Sequence, residues 1–438
     1  MYLTIRFLML KIRPVLTIPD SAGFARIILM FLLFSNLALY LFISSKIIWI
    51  LYLLYLLLLI LLRMKITVRP ILIPALLTAP LLTALPMSLT SDIYHFTQGF
   101  FYLSIPVILL ITGYQLARIY PPVIFLSFLV KSGILMAIVF IIFTVSRVGF
   151  IAFLSPYTEA RFSVASGSVV CVLSLIIAAY SEYFDFKIFK RSSLKYLSIF
   201  VNLIAIYLFA SRTYWILLFI FVLLFSIKTM RKDKLLFYGF LLIGGFLILT
   251  SVVDSKSDLT FQNSIIYKLV NSFREIRIRD LSDYGEINTY YRGYEAYRGW
   301  VTFTEGNVIE KIFGFGYGKL VNLNASVFLD GKYWTAVPWI HNGFFFILVK
   351  EGLLGILLSL LFFIYLLKIS IRGFTFSDAG KQFFYLILLG CSFSMFITNF
   401  VVCAMFSHEM AILMITIGYI LSLSSEKTKG NGVPTDKS

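Results

Sequence analysis

Charged residues are scarce in this chain. Only 13% of its 438 residues are Asp, Glu, Lys or Arg, and 60% are hydrophobic. A soluble domain is about a quarter charged and about half apolar, so a soluble globular fold is excluded. Cysteine is nearly absent: Cys171, Cys391 and Cys403 all lie in apolar runs without paired spacing. Neither a disulfide framework nor a cysteine metal site follows. Histidine is as rare, at His95, His341 and His408. No His, Cys, Asp and Glu group has metal-ligand spacing, so no metal and no other cofactor is expected. Acidic residues number 21 against 38 basic ones, a net charge of +17. In a membrane protein this excess belongs to the cytoplasmic loops, and no nucleic-acid partner is expected. The first residues, with Arg6, Lys11, Arg13 and Pro14, lack the cleavage site of a signal peptide.

Long apolar runs are what the chain has instead. They fall at 27–44, 47–62, 71–89, 99–118, 123–145, 166–184, 196–210, 213–227, 236–253, 341–367, 383–402 and 409–424. A span needs about 20 apolar residues, so the expected fold is an all-α polytopic membrane protein with about 12 transmembrane helices. Pro80 and Pro86 interrupt the third run; a bundle tolerates this when neighbours satisfy the freed backbone. With the N-terminus inside, the inner connections carry Arg63 and Lys65, Arg118, the Lys187–Lys195 cluster, the Lys228–Lys234 cluster, Lys368, Arg372 and Lys381. The short outer ones carry Lys46, Arg147, Arg161 and Arg212. This bias places both termini in the cytoplasm.

The expected organisation is an N-terminal transmembrane bundle of about nine helices over 1–253, a loop domain over 254–338, about three helices over 339–426 and a tail over 427–438. The 254–338 insert holds ten acidic and ten basic residues and is rich in Tyr and Arg. It reads as a folded extracytoplasmic cap, since a long structureless loop in a compact protein is uncommon.

Several polar residues stand out against this background. His341 and Asn342 follow Pro338, at the start of a helical run. Imidazole can take a proton near neutral pH, while Asn342 either orients a substrate hydroxyl or caps the helix. Gly352 and Gly355, three residues apart on one face, let another helix approach closely. Glu351, about ten residues into the same helix and so roughly 15 Å from His341, reads as structural. Arg212 lies in the break between the seventh and eighth runs. Intramembrane or interfacial arginines are functional candidates, and guanidinium makes bidentate phosphate contacts; an interfacial anchor is the alternative. Arg292 and Arg298 lie in a Tyr-rich helix ahead of Phe313-Gly314-Phe315-Gly316-Tyr317-Gly318, with a surface network to Glu295 as the alternative. Arg274, Arg277 and Arg279 read as solvated surface. Arg147, Arg161, His95 and His408 carry no assigned role.

His341, Asn342, Gly352 and Gly355, at this spacing, resemble the signature of the O-antigen ligase and polymerase family of bacterial membrane glycosyltransferases. The Ser211-Arg212 pair before an apolar helix, and an arginine ahead of a Gly-x-Gly element, resemble further parts of it. Arg292 fits that loop pattern better than Arg298, because more helix separates it from Gly314. The resemblance covers mainly residues 200–360. It implies a C-type membrane glycosyltransferase fold in the bacterial cytoplasmic (inner) membrane, with the active site facing the periplasm. It implies His341 as catalytic base, Arg212 and Arg292 as ligands of the substrate diphosphate, Asn342 and Arg298 as further substrate contacts, and no required metal. The substrate would be an undecaprenyl-diphosphate-linked glycan. The acceptor would be a glycan hydroxyl for a polymerase, or lipid A-core for a ligase, and the Phe-, Tyr- and Ile-rich sequence leans towards the polymerase. Membrane lipid and a chain-length regulator protein are the other partners implied. A non-enzymatic transporter or flippase is the competing class. It would be expected to show repeated halves or broken midplane helices, which the sequence does not display, and it leaves the cap unexplained.

Overall fold

The computed structural model describes residues 22–39, 45–63, 71–89, 91–150, 167–209, 211–229, 275–329 and 332–426. The first half is a series of apolar helices: α1 (Ala22–Leu39), α2 (Ser45–Arg63), α3 (Leu72–Ser88), α4 (Ile93–Ile119), α5 (Pro122–Val148), α6 (Val169–Tyr180), α7 (Ser192–Leu208) and α8 (Arg212–Thr229). The insert contributes α9 (Tyr284–Thr289), α10 (Tyr291–Glu305), α11 (Val308–Phe313) and an antiparallel hairpin of β1 (Val321–Leu329) and β2 (Lys332–Val337). Last come α12 (Gly343–Phe376), α13 (Ala379–Val402) and α14 (Ala411–Glu426). The described chain is therefore helical apart from one hairpin.

Among the described residues, five helices are long and apolar enough to cross a membrane: α4, α5, α8, α12 and α13. The other expected runs are shorter apolar helices, except 236–253, which lies outside the described residues, as do the tail and Arg161. At 12 residues, α6 is too short to span about 30 Å of hydrocarbon. Every residue from Val169 to Ala178 is buried. It is a helix apolar all round because protein surrounds it. Asp92 caps α4 by accepting the Tyr94 N–H at 2.9 Å, and Asp378 caps α13 through Lys381. Pro80, Pro86 and Pro106 sit inside helices that continue past them.

Close approach between helices rests on small residues and buried polar groups. Gly113 of α4 and Gly418 of α14 each lie against the other helix's backbone, where a Cβ would collide. Tyr419 stacks on Phe125 at 3.9 Å and donates to the Tyr120 carbonyl at 2.8 Å. Ser174 of α6 donates to the Val130 carbonyl at 3.0 Å and accepts from Asn202 of α7 at 3.2 Å. Such contacts hold helices together where lipid removes the hydrophobic drive.

Two of the contacts that fasten the described part of the insert to the bundle involve α12 and the turn before it. First, α10 lies across the start of α12, with Gly299 against Ile340 and Phe345. Second, α12 is broken. Gly352 has φ +69° and ψ −164° and interrupts the helix after nine residues. The 313–318 loop fills the break: the Phe315 N–H donates to the Val349 carbonyl at 2.9 Å, and the Gly316 N–H to that of Lys350 at 3.2 Å. The buried Lys350 ammonium donates back to the Tyr317 carbonyl at 2.8 Å, and to that of Lys319. Gly352 breaks the helix, while still admitting a close approach, by Ile312 of α11 and by Gly314, and the atoms nearest a Cβ on Gly355 belong to Glu351 and Ile347 of its own chain segment. The chain also does carry a broken helix, contrary to the sequence reading, so helix breaks no longer separate it from a transporter. Glu351 is the last residue of the first segment of α12, buried at the break beside Lys350.

Candidate functional site

His341 sits where the insert rejoins the bundle, one residue ahead of the helix cap. Asn342 is that cap: its side-chain oxygen accepts the Phe344 and Phe345 N–H groups at 3.1 and 3.2 Å. This satisfies two of the orphan donors of the first turn. Of its two expected roles, capping is the one its contacts display.

The His341 ring is held from three sides. Nδ1 lies 2.9 Å from Oε2 of Glu295, and the same oxygen accepts the His341 backbone N–H at 2.7 Å. Tyr291 meets the ring edge-on at 5.9 Å between centroids, and Trp339 leans on it at 4.8 Å. The Tyr291 hydroxyl donates to the other oxygen of Glu295 at 3.0 Å. The Glu295 side chain is 2% exposed and that of His341 25%. A carboxylate only accepts, so Nδ1 is assigned as the donor and Nε2 is left as the ring's acceptor. Burial, then the charge of Glu295, raises the Tyr291 phenol well above its ordinary range, so it stays a donor.

A second cluster joins the start of α8, the segment ahead of α9, and α10. Arg212 Nη2 is 2.5 Å from Oε2 of Glu275, and Arg292 Nε is 3.5 Å from Oε1. Two arginines 80 positions apart thus converge on one carboxylate. Arg212 is the first residue of α8, whose start is anchored two residues on: the Tyr214 hydroxyl donates to the Gly167 carbonyl at 2.5 Å, with Glu409 Oε2 at 3.2 Å. Gly293 explains how Glu275 reaches Arg292. The Arg277 carbonyl packs where a Cβ at 293 would stand, so the incoming segment crosses α10 in contact with its backbone. Arg292 and Glu295 are three residues apart on α10, which makes them helix neighbours. One member of each cluster is therefore carried at neighbouring positions of that helix.

The remaining candidates are placed elsewhere. Arg298 donates through Nε to the Asn322 carbonyl of β1 at 2.9 Å and ties the hairpin to α10. Arg279 stacks over Tyr290 at 3.8 Å, Arg277 is exposed, and Arg147 lies over Phe143 at 4.7 Å. His95 packs on Tyr94, and His408 on Trp49 of α2. Among the described residues no cluster of three or more His, Cys, Asp or Glu side chains could hold a metal ion.

Glu295 and Glu275 are the site residues that sequence reasoning missed. Glu295 enters the sequence reading only in the alternative, a surface network with arginine; its side chain is buried against His341. Its only local signal is the Tyr291–Glu295 spacing of four on one helix face. The partner lies 46 residues away, across a hairpin, and nothing in the sequence pairs them. Chemically, the site offers two guanidiniums aimed at one anion and an imidazole with one nitrogen fixed. No protein-family model matches the chain, and no curated protein matches it either.

Proposed function

We propose that this chain is an inverting membrane glycosyltransferase of the O-antigen polymerase type. It takes a polyprenyl-diphosphate-linked glycan on the outer face of the bacterial cytoplasmic membrane and transfers it to a sugar hydroxyl. The observation that carries this reading is the convergence of Arg212 and Arg292 on the single carboxylate of Glu275. A diphosphate carries more negative charge and more acceptor oxygens than one carboxylate, so it can take bidentate bonds from both guanidiniums at once. In the reaction the diphosphate takes Glu275's place and its leaving charge is stabilised there. His341 removes the acceptor proton through Nε2, the acceptor oxygen bonds to the anomeric carbon, and the bond to the diphosphate breaks with its electron pair. One displacement inverts that carbon. The nine-residue helix that His341 precedes adds a favourable N-terminal dipole for an anion. A half-helix beginning at a substrate site also occurs in transporters. The fixed imidazole beside the arginine pair favours chemistry over passage.

The test uses the purified full chain in lipid nanodiscs with lipid-linked repeat units from a strain lacking this protein. His341→Ala is expected to bind polyprenyl diphosphate normally and to form no product, since base removal costs about 10²–10⁴-fold. Normal product formation would remove His341 from the mechanism. The glycan that accumulates in the deletion strain separates the two activities: single lipid-linked repeats mark a polymerase, long lipid-linked chains a ligase.

A further inference from the structure

Buried carboxylates are costly, and a fold that only had to fix residue 341 could use a neutral group, as it does next door with Asn342. Yet Glu295 is 2% exposed and devotes one oxygen wholly to His341: the backbone N–H at 2.7 Å and ring Nδ1 at 2.9 Å. One oxygen therefore sets both the main chain and the ring plane. The second oxygen is occupied by the Tyr291 hydroxyl at 3.0 Å, which stops the carboxylate from rotating. Tyr291 and Trp339 then limit the ring itself, edge-on at 5.9 Å and tilted at 4.8 Å. A buried carboxylate is expensive to keep unless it is hydrogen-bonded, and here every bond it makes fixes His341 or the carboxylate itself.

We propose that Glu295 is the positioning residue of the catalytic base. This rests on His341 being the base. The carboxylate holds the imidazole in the tautomer with hydrogen on Nδ1, which keeps the Nε2 lone pair for the acceptor sugar hydroxyl. As the acceptor O–H bond breaks, its proton goes to Nε2, and the new C–O bond forms at the anomeric carbon. The electron pair of the old bond leaves on the diphosphate. The Nδ1 proton stays on His341, and Glu295 stabilises the imidazolium without taking a proton. Because Glu295 is carried by α10, three residues from Arg292, the base and the diphosphate ligand are set by one rigid element. A shift of α10 would misplace both, and about 1 Å of misplacement can cost about 10²-fold in rate.

Glu295→Gln separates charge from shape. A glutamine can keep every contact: its oxygen accepts both His341 N–H groups, and its amide donates to the Tyr291 oxygen. In nanodiscs the variant is expected to show the wild-type thermal transition, unchanged polyprenyl diphosphate binding and an unchanged KM for the lipid-linked repeat unit. Its kcat should fall by about 10²–10⁴-fold. A kcat within about threefold of wild type, or a loss of diphosphate binding in step with kcat, would overturn the proposal. Should the glutamine variant fail to fold, Glu295→Asp carries the test. It keeps the charge on a stem one methylene shorter, and an intermediate kcat at constant KM is expected; a rise in KM that accounts for the whole loss would overturn it. His341→Ala, assayed alongside, keeps the two ideas apart. An active His341→Ala removes the base itself. An inactive His341→Ala beside an active Glu295→Gln removes only the role of Glu295.

Discussion

Gly314 and Gly352 are pressed backbone to backbone. A Cβ on either would run into the other's chain segment: Gly352's into the Gly314 amide, and Gly314's into the Lys350 carbonyl and the Glu351 amide. Both have φ in the left-handed range, +84° and +69°, with ψ near 180°. That combination is essentially restricted to glycine. The pair explains why a helix inside a bundle can stop after nine residues. The carbonyls freed by the break are met by the N–H groups of Phe315 and Gly316, so these backbone groups keep partners in an apolar setting.

Gly352→Ala is therefore expected to cost more than conformational strain. Strain alone is about 1–3 kcal/mol, and the clash with the Gly314 amide adds to it. Gly149, at the end of α5, gives the comparison, because it shares the positive φ, +77°, but a Cβ there would meet nothing within 4 Å. Gly149→Ala should lower the apparent thermal transition by strain only, and Gly352→Ala by clearly more. Equal shifts in nanodiscs would mean that the 313–318 loop does not grip the break.

Arg212→Lys and Arg298→Lys are expected to diverge. Lysine keeps the charge but offers no fork for two oxygens. At 212 the guanidinium belongs to the proposed diphosphate pair, so transfer should fall strongly while insertion and folding hold. At 298 the side chain ties α10 to a β1 carbonyl, and the lysine variant should keep transfer with a modest loss of stability. Near-normal glycan output from Arg212→Lys would make Arg212 an interfacial anchor. A large loss from Arg298→Lys would place that residue in the site.

Hydropathy was sufficient to find the helices, because a long apolar run has few other solutions in lipid. It did not show that α6 is buried on every side, since a run buried by protein and a run facing lipid look alike in composition. That Arg212 and Arg292 lie on one side follows from topology, as Arg212 borders an apolar run and Arg292 lies in the insert, both expected on the same side. The break at Gly352 was not legible. A glycine at helix spacing reads equally as a packing face, and only the Phe315 and Gly316 amides, some 35 positions earlier, make the break tolerable. Glu295 escaped for a similar reason: an acid on an amphipathic helix reads as surface until its fold partner is known.

The inserted loop domain is expected to face away from the cytoplasm, because the Lys and Arg bias orients the apolar runs together. Ser326, exposed on β1, is a suitable probe position. Cys171, Cys391 and Cys403 are all buried, so they give little background. Ser326→Cys should react with an impermeant maleimide in intact spheroplasts. Labelling that required permeabilised membranes would invert the orientation and move the proposed site to the cytoplasmic face.

Tyr291 links the His341 pair to a measurable pH dependence. Its phenol is pushed well above the ordinary range, by burial first and then by the charge of Glu295 and the hydrogen bond to it. In the unfolded chain a tyrosine titrates near its ordinary value, about 10. Below that pH both states keep the proton, and the contribution of the buried phenol to stability is fully present. Above it the unfolded state loses its proton while the folded state does not, so stability falls as pH rises. The slope is at most about 1.4 kcal/mol per pH unit for one such group. Tyr291→Phe should show two effects of opposite sense. At neutral pH it leaves a buried Glu295 oxygen without its donor, at a cost of about 1–3 kcal/mol. Above pH about 10 it removes one group from the alkaline loss, so its stability curve should be flatter than that of the wild type. Thermal transitions in nanodiscs between roughly pH 7 and 11 measure both. A variant as stable as wild type at neutral pH, with an unchanged alkaline slope, would show that the Tyr291 hydroxyl does not hold Glu295 in place.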